Sequence, residues 1–156
     1  MSSRSIAFIA IGLWVLTVLA GVYLFVVGQT RPAQDGRTAI ILESGERAMI
    51  LGEMRDLLAA VQGVVAGLAR KESSEVAAAA RRAGSAAAAD VAPGLMTKLP
   101  FEFKQLGMSV HQDFDKLAAA IDNGEDNQQV LFRMNELLQR CVACHATYQL
   151  STGNGQ

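Results

Sequence analysis

The chain has 156 residues, 51% of them apolar, and its 14 Lys and Arg against 15 Asp and Glu give a net charge of −1 at pH 7. This length and apolar content predict one folded domain and exclude a disordered chain. The near-zero net charge, without a basic run or an aromatic ladder, argues against nucleic-acid binding.

The first predicted element is an apolar helix. The stretch Ile6–Val27 carries no charge, and as a helix it spans roughly 33 Å, enough to cross a hydrocarbon core of about 30 Å. The alternative is a cleaved signal peptide, because Val18-Leu19-Ala20 resembles a cleavage site. Apolar residues continue beyond that point to Val27, which favours an uncleaved anchor. We therefore predict a transmembrane anchor at residues 1–28 that contacts membrane lipid through Ile6–Val27.

A polar segment and a long helix follow. Residues 29–37 contain Pro32 and Gly36 and predict a short linker that lifts a domain off the bilayer. From Thr38 to Arg70, apolar residues recur at three- and four-residue steps, which predicts one amphipathic helix. Glycines within this helix predict close packing against a neighbouring helix. The apolar stripe consists of Ile50, Met54, Leu57, Val61, Val64 and Leu68.

Three further helices are predicted. An alanine-rich helix begins at Ser73 or Ser74 as its N-cap, and the prolines and glycine of VAPGLMTKLP then break the chain. The third helix covers Phe101–Asp122 and stops at Asn123-Gly124, and Asp126 caps a fourth helix that runs to about Leu150. Because no stretch alternates with period two, we predict an all-α fold. It consists of the single transmembrane helix and an antiparallel four-helix bundle over residues 38–150, with a tail at 151–156.

The stretch CVACHATY contains both cysteines of the chain and one of its two histidines. C-x-x-C-H is the pattern of covalent haem attachment, since residues three apart lie on one helix face and the adjacent imidazole can reach the iron. A redox dithiol is the second interpretation, although it is typical of a βαβ context. A zinc site with His111 as fourth ligand is the third interpretation, and two buried cysteines beside a chance histidine are the fourth.

With its tyrosine, C-x-x-C-H-x-x-Y on the last helix of a bundle resembles cytochrome c′ and its low-spin, methionine-ligated relatives. The stretch FEFKQLGMSVHQDFDKLAAAIDNGED is similar to the third helix and turn of that family, and the alanine-rich helix is similar to its second. The resemblance covers roughly Thr38 to Leu150. The chain departs from the family at Gln149, where the family usually has Arg or Lys.

The resemblance implies one haem c, attached through thioethers of Cys141 and Cys144, with His145 as the proximal iron ligand. It implies that the distal ligand comes from the first helix of the bundle, at Met54, with Met49 as the second choice. An open, five-coordinate iron is the main alternative, and a bis-histidine iron using His111 is a weaker one. From its place beside the apolar stripe, His111 is predicted at the surface or at the edge of a pocket. Arg47 and Arg55 are predicted to be solvated.

These observations predict an electron carrier, not an enzyme: a membrane-anchored monohaem cytochrome that passes single electrons between membrane-bound or periplasmic redox proteins. Haem attachment to C-x-x-C-H outside the cytoplasmic membrane implies a periplasmic domain and an N-terminus inside. One alternative is a five-coordinate protein that binds NO or CO. Another is a haem-bearing structural subunit of a respiratory or photosynthetic complex. The resemblance also suggests a homodimer, which the anchor could replace.

Overall fold

The computed structural model describes residues 3–88 and 91–153. Most of these residues are helical, as predicted. Residues 1–2 of the anchor, 89–90 of the alanine-rich helix and 154–156 of the tail lie outside the described ranges. The helices are α1 Ser3–Val27, α2 Ser44–Arg70, α3 Ser73–Arg82, α4 Pro93–Lys98, α5 Phe101–Asp122 and α6 Asn127–Thr147. A 3-10 turn covers Ser85–Ala88, and the strands are β1 Thr30–Pro32, β2 Thr38–Leu42 and β3 Tyr148–Thr152.

The three strands form a small sheet that the sequence did not predict. β2 is the central strand, antiparallel to β1 and parallel to β3, with Thr38 opposite Tyr148 and Leu42 opposite Thr152. The prediction of an all-α domain is therefore wrong in this region. Strands of three and five residues are too short to show a period, and the apolar residues of β2 continue into the helical stripe of α2.

The sheet also shifts the predicted boundaries of two helices. α2 begins at Ser44, not Thr38, where the Glu43 and Glu46 side chains form a reciprocal capping box. α6 ends at Thr147, before the predicted Leu150, and β3 continues into the predicted tail. Asp126 caps α6 as predicted, accepting hydrogen bonds from the backbone of Gln128 and Gln129.

The larger apolar cluster, the helical core, is built by α2, α3, α5 and α6. α2 packs on α3, α3 on α5, and α5 on α6. Gly63 and Gly67 of α2 allow the close approach predicted for this helix, because a Cβ at Gly67 would lie 2.7 Å from Cγ2 of Val76. The largest side chains that are fully buried in this core are those of Val64, Val76, Phe114, Leu117, Val130 and Leu137.

A second apolar cluster, the junction core, connects the sheet to the helices. Its buried members come from β2, the first turns of α2, the short helix α4, the start of α5 and the first residue of β3. Met54 and Cys144 pack against it. This cluster lies between the anchor and the last turn of α6. It consists of Ile40, Leu42, Ile50, Leu95, Leu99, Phe103 and Tyr148.

The anchor contacts the domain directly, in addition to the connection through residues 29–37. Gly28 adopts φ +67°, and a Cβ there would lie 2.5 Å from the carbonyl oxygen of Lys98. The next residue, Gln29, donates its N–H to that carbonyl at 2.7 Å. Lys104 of α5 donates its Nζ to the carbonyl of Phe25 at 3.0 Å and lies 3.4 Å from the Phe25 ring centroid. The last turn of α1 is therefore packed against α4 and α5.

α1 meets the requirements for a membrane-spanning helix. Arg4–Val27 has a mean hydropathy of 2.4, and none of its apolar window is buried inside the protein. A helix of exposed apolar side chains needs a lipid environment or a partner in order to leave water. The predicted anchor is thus confirmed as a helix that is long and apolar enough to cross a membrane.

Candidate functional site

α6 carries the cysteine and histidine side chains in its last two turns. Cys141 and Cys144 both have free thiols and are half-buried, and His145 is exposed. Cys141 packs against the helical core, whereas Cys144 packs against the junction core. The motif therefore lies where the two apolar clusters meet.

An apolar cleft of about 280 Å³ opens beside this part of α6. Cys141, Cys144 and His145 all line it, together with residues of α2, α4 and α5. Met54 and Met49 line it from α2. The structure therefore brings together the residues that the sequence singled out as thioether donors and as iron ligands, although the two methionines lie some 90 residues from the motif along the chain.

The two methionines differ in depth. Met54 is half-buried, packs against the junction core and also lines a second cavity of about 300 Å³ beside Cys144 and His145. The Met49 side chain is 47% exposed. A thioether held among apolar side chains needs less ordering to bind an iron than one that moves freely in water. Burial therefore favours Met54 over Met49, in agreement with the sequence-based order of the two.

His111 is buried, so of its two predicted positions the surface is wrong, whereas a place at the edge of a pocket agrees with the structure. Only 3% of the residue is exposed. Its Nδ1 donates to the carbonyl of Ala83 at 2.8 Å, and its Nε2 lies 3.0 Å from Oε1 of Glu53. The hydrogen bond to Glu53 raises the pKa of His111, against the opposing effect of burial. His111 does line the cleft, but both of its ring nitrogens already have hydrogen-bond partners.

These contacts bear on the zinc and dithiol interpretations. No group of three or more His, Cys, Asp or Glu side chains suited to a metal ion occurs in residues 3–88 and 91–153. His111 is hydrogen-bonded elsewhere and does not complete a four-ligand set with the motif. Burial raises the pKa of both cysteine thiols, whereas reactive redox dithiols have a lowered pKa. The structure thus gives neither interpretation any support.

The side chains of Tyr148 and Arg37 form contacts that fix the end of α6 just beyond the motif. The Tyr148 hydroxyl donates to Oε2 of Glu102 at 3.1 Å, and its ring meets Phe103 edge-on at 5.5 Å between centroids. On the other side, Arg37 donates to Gln149 and to the carbonyls of His145 and Tyr148. Arg37 was not predicted as a residue of the site, since it lies within the predicted linker. No local pattern connects it to the motif.

Arg47 also lies closer to the site than predicted. It is half-buried, lines the second cavity and donates its Nε to the carbonyl of Leu150 at 3.2 Å. Arg55 is exposed, as predicted. Helix α2 therefore presents one of these two arginines to the sheet and the other to solvent.

The residues of the cleft fit a haem in the chemistry of their donors. Two thiols one helical turn apart can form two thioethers, and an imidazole nitrogen with a methionine sulfur is a known axial pair for haem iron. The surrounding side chains are mostly apolar, and among the polar ones are Glu53, Lys104 and Arg140. Apolar clefts lined by a few polar groups are typical of sites for small molecules and cofactors.

Comparison of the chain with protein-family models, with curated protein sequences and with solved structures found no match.

Proposed function

We propose that this protein is a membrane-anchored, monohaem c-type cytochrome that transfers single electrons between redox partners. One observation carries the proposal: Cys141, Cys144 and His145 line an apolar cleft that Met54 also lines from a different helix. A chance pair of helix cysteines would require neither an adjoining cleft nor a thioether across it.

Each residue has a defined part in this proposal. Cys141 and Cys144 form the two thioethers, and His145 supplies the proximal nitrogen. Met54 supplies the distal sulfur, and Met49 is the second choice for that ligand. A bound haem would supply the one-electron couple between Fe(III) and Fe(II). The apolar side chains around the cleft exclude water, which lowers the reorganisation that accompanies a change of charge.

We further propose that α2, α3, α5 and α6 form an antiparallel four-helix bundle of the cytochrome c′ type. The packing of α2 on α3, α3 on α5 and α5 on α6 supports this architecture. The sheet and the short helix α4 would then be additions of this chain that connect the bundle to its anchor. Such additions are compatible with the bundle because they cover one end of it and leave the helical core unchanged.

The domain is proposed to lie in the periplasm, with the N-terminus of the chain inside. Arg4 then lies on the cytoplasmic side, in agreement with the preference for positive charge there. On the other side lie Arg31 and Arg37, so the charges that flank α1 do not decide the orientation. It is inferred instead from the attachment of haem to C-x-x-C-H outside the cytoplasmic membrane. The redox partners are accordingly membrane-bound or periplasmic.

The first test is covalent attachment. The full chain is expressed with the machinery that attaches haem c, and haem is detected after denaturing electrophoresis. We expect a haem-containing band for the wild type and none for the Cys141→Ala/Cys144→Ala double variant. Val142→Ala is the matched control, because Val142 lies between the two cysteines on the exposed side of α6. A wild type without covalent haem would overturn the proposal.

The second test concerns the sixth ligand. We expect the reduced wild type to show sharp low-spin α and β bands that CO does not change. Met54→Ala should lose these features and bind CO, whereas Met49→Ala should retain them. Immediate CO binding by the wild type would contradict Met54 ligation and favour a five-coordinate protein that binds NO or CO.

The third test separates an electron carrier from a structural subunit. If the haem is incidental to a respiratory or photosynthetic complex, the double cysteine variant should copurify with that complex and leave its electron flux unchanged. A carrier requires the flux to fall with loss of haem, even when the polypeptide is present at its normal level. We expect the flux to fall.

A further inference from the structure

The end of α6 is hydrogen-bonded to Arg37, which lies more than 100 residues earlier in the sequence. Arg37 immediately precedes β2 and is half-buried. Its Nη1 donates to the carbonyl oxygen of His145 at 3.3 Å and to that of Tyr148 at 3.4 Å. Its Nη2 donates to Oε1 of Gln149 at 2.8 Å. One guanidinium therefore contacts the backbone of the proposed proximal ligand and two residues near it.

Asp35 holds the same guanidinium from its other side. The Nε of Arg37 donates to Oδ2 of Asp35 at 2.8 Å, and Nη2 lies 2.7 Å from that oxygen. The backbone N–H of Arg37 donates to Oδ1 of Asp35 at 3.1 Å. A guanidinium has five N–H groups, one on Nε and two on each terminal nitrogen. Arg37 donates four hydrogen bonds through these groups, one from Nε, two from Nη1 and one from Nη2, and its Nη2 also forms the ion-pair contact with Asp35.

The contact of Arg37 with α6 supplies a hydrogen-bond donor to a carbonyl group at the C-terminus of this helix. The last four carbonyl groups of an α-helix have no intrahelical N–H partner, and a cationic side chain near the C-terminus can satisfy them. Among these carbonyls, that of His145 receives its hydrogen bond from Arg37. The parallel pairing of Thr38 with Tyr148 brings the two segments together. The sheet therefore places Arg37 beside the cysteine and histidine motif.

The positive charge of Arg37 lies closer to His145 than its counter-charge does. The guanidinium contacts the His145 carbonyl directly, whereas Asp35 contacts Arg37, and the side chains of Asp35 and Arg37 are 48% and 35% exposed. The charge that is nearer and less exposed to solvent contributes more to the electrostatic field at a given site. The cation therefore contributes more to the field at His145 than the carboxylate, which offsets part of it.

We propose that Arg37 is a positioning residue for His145, which fixes the backbone of this ligand and keeps a positive charge beside it that favours the reduced iron. This inference rests on the proposed function, since it concerns a ligand of a bound haem. A fixed positive charge disfavours the additional positive charge of the oxidised state, so it raises the reduction potential.

The test uses the full chain with covalent haem in detergent and measures the reduction potential by redox titration. In Arg37→Gln we expect the Fe(II)/Fe(III) ratio at a fixed ambient potential to fall by about 3- to 10-fold. Asp35→Asn removes the counter-charge and leaves the guanidinium in place, so its ratio should rise. Arg31→Gln is the matched control, because Arg31 is an exposed arginine of the neighbouring strand β1, and it should leave the ratio unchanged.

Two further readouts separate the effect of charge from that of structure. Arg37→Lys keeps the charge but not the planar fork, so it should restore the potential. Hydrogen exchange of residues 141–150 should nevertheless stay faster than in the wild type. If Arg37→Gln lowers only the stability, while its potential equals that of Arg31→Gln, the proposal is overturned. Equal potentials for Asp35→Asn and the wild type would likewise overturn it, including the case in which Arg37→Gln does not fold.

Different results contradict the proposed function and the role of Arg37. A wild type without covalent haem contradicts the proposed function. A wild type with normal covalent haem and variants of unchanged potential contradicts only the role of Arg37.

Discussion

The helical core and the junction core are built on different physical principles, although α2 and α5 contribute to both. In the helical core, neighbouring helices pack along stripes that repeat every three to four residues, so each contact follows from local periodicity. In the junction core, a strand, a short helix and the end of α6 come together from distant parts of the chain. The first cluster is a scaffold that local sequence specifies. The second connects the anchor to the motif and depends on contacts that are distant in sequence.

The largest effect is expected in the helical core. Phe114 is 0% exposed, and Phe114→Ala should lower the free energy of unfolding by about 3–5 kcal/mol, because it leaves a cavity among packed helices. Phe132 of α6 is 65% exposed, and Phe132→Ala should change the same free energy by less than about 0.5 kcal/mol. Chemical denaturation of the full chain in detergent, followed by circular dichroism, measures both. Equal costs for the two variants would contradict the assignment of this core.

A slightly smaller effect is expected in the junction core. Ile40 of β2 is 0% exposed and its neighbour Ile41, on the other face of the strand, is half-buried. Ile40→Ala should cost about 2–5 kcal/mol of unfolding free energy, and Ile41→Ala should cost less. Because Cys144 and Met54 pack on this cluster, Ile40→Ala should also broaden the absorption bands of the proposed haem, which Phe114→Ala should leave sharp. A greater loss of stability for Ile41→Ala would show that β2 faces the other way.

The joint between the anchor and the domain offers a pair of glycines for the next test. Gly28 and Gly36 both have positive φ, but only at Gly28 would a Cβ meet backbone atoms, those of Lys98, Leu99 and Pro100. Replacement by alanine costs both sites the strain of a left-handed backbone, on the order of 1 kcal/mol. Gly28→Ala should cost about 1–3 kcal/mol more because the backbone segments must separate.

Limited proteolysis of residues 29–37 measures that opening in the full chain. We expect cleavage in Gly28→Ala to be about 5- to 100-fold faster than in Gly36→Ala, since each 1.4 kcal/mol changes the open population tenfold. Similar rates in both variants would mean that the contacts at Gly28 do not hold the segment closed and that residues 29–37 act only as a short linker.

The same contrast explains which parts of the fold could be predicted. The apolar residues of α5 repeat at three- and four-residue steps, which predicts six buried positions: Phe103, Leu106, Val110, Phe114, Leu117 and Ile121. All of them are buried except Leu106, which is half-buried. This agreement follows because helical periodicity is a local property. The pairing of β2 with β3 joins residues more than 100 positions apart. No period in a five-residue strand reveals such a partner. The helix start at Thr38 was wrong for this reason, since Ala39, Ile40 and Leu42 are as apolar as a helix stripe.

The residues of the candidate site also divide into those that the local sequence reveals and those that it does not. Cys141, Cys144 and His145 could be identified because their spacing within one helical turn carries the chemistry. Met54 followed from the stripe of α2 together with the family resemblance. Arg37 and Glu53 could not be found, because a surface charge and a site residue look alike until the fold brings their partners close.

The smallest expected effect comes from the pair of the buried His111 and the half-buried Glu53, both of which line the cleft. The pKa of His111 is raised above its usual value near 6.5, chiefly by the hydrogen bond to Glu53. A raised pKa means that the folded protein holds the proton more tightly, so the pair contributes its full stability below about pH 6.5. That contribution is lost as the pH rises through the pKa of the folded state.

Glu53→Gln should therefore lower the unfolding free energy most at about pH 5.5 to 6.5, and the gap to the wild type should shrink towards about pH 9. Glu136→Gln, the same change at an exposed position of α6, should give a small gap at every pH. A gap for Glu53→Gln that does not change with pH would show that the pair acts by packing and not by charge.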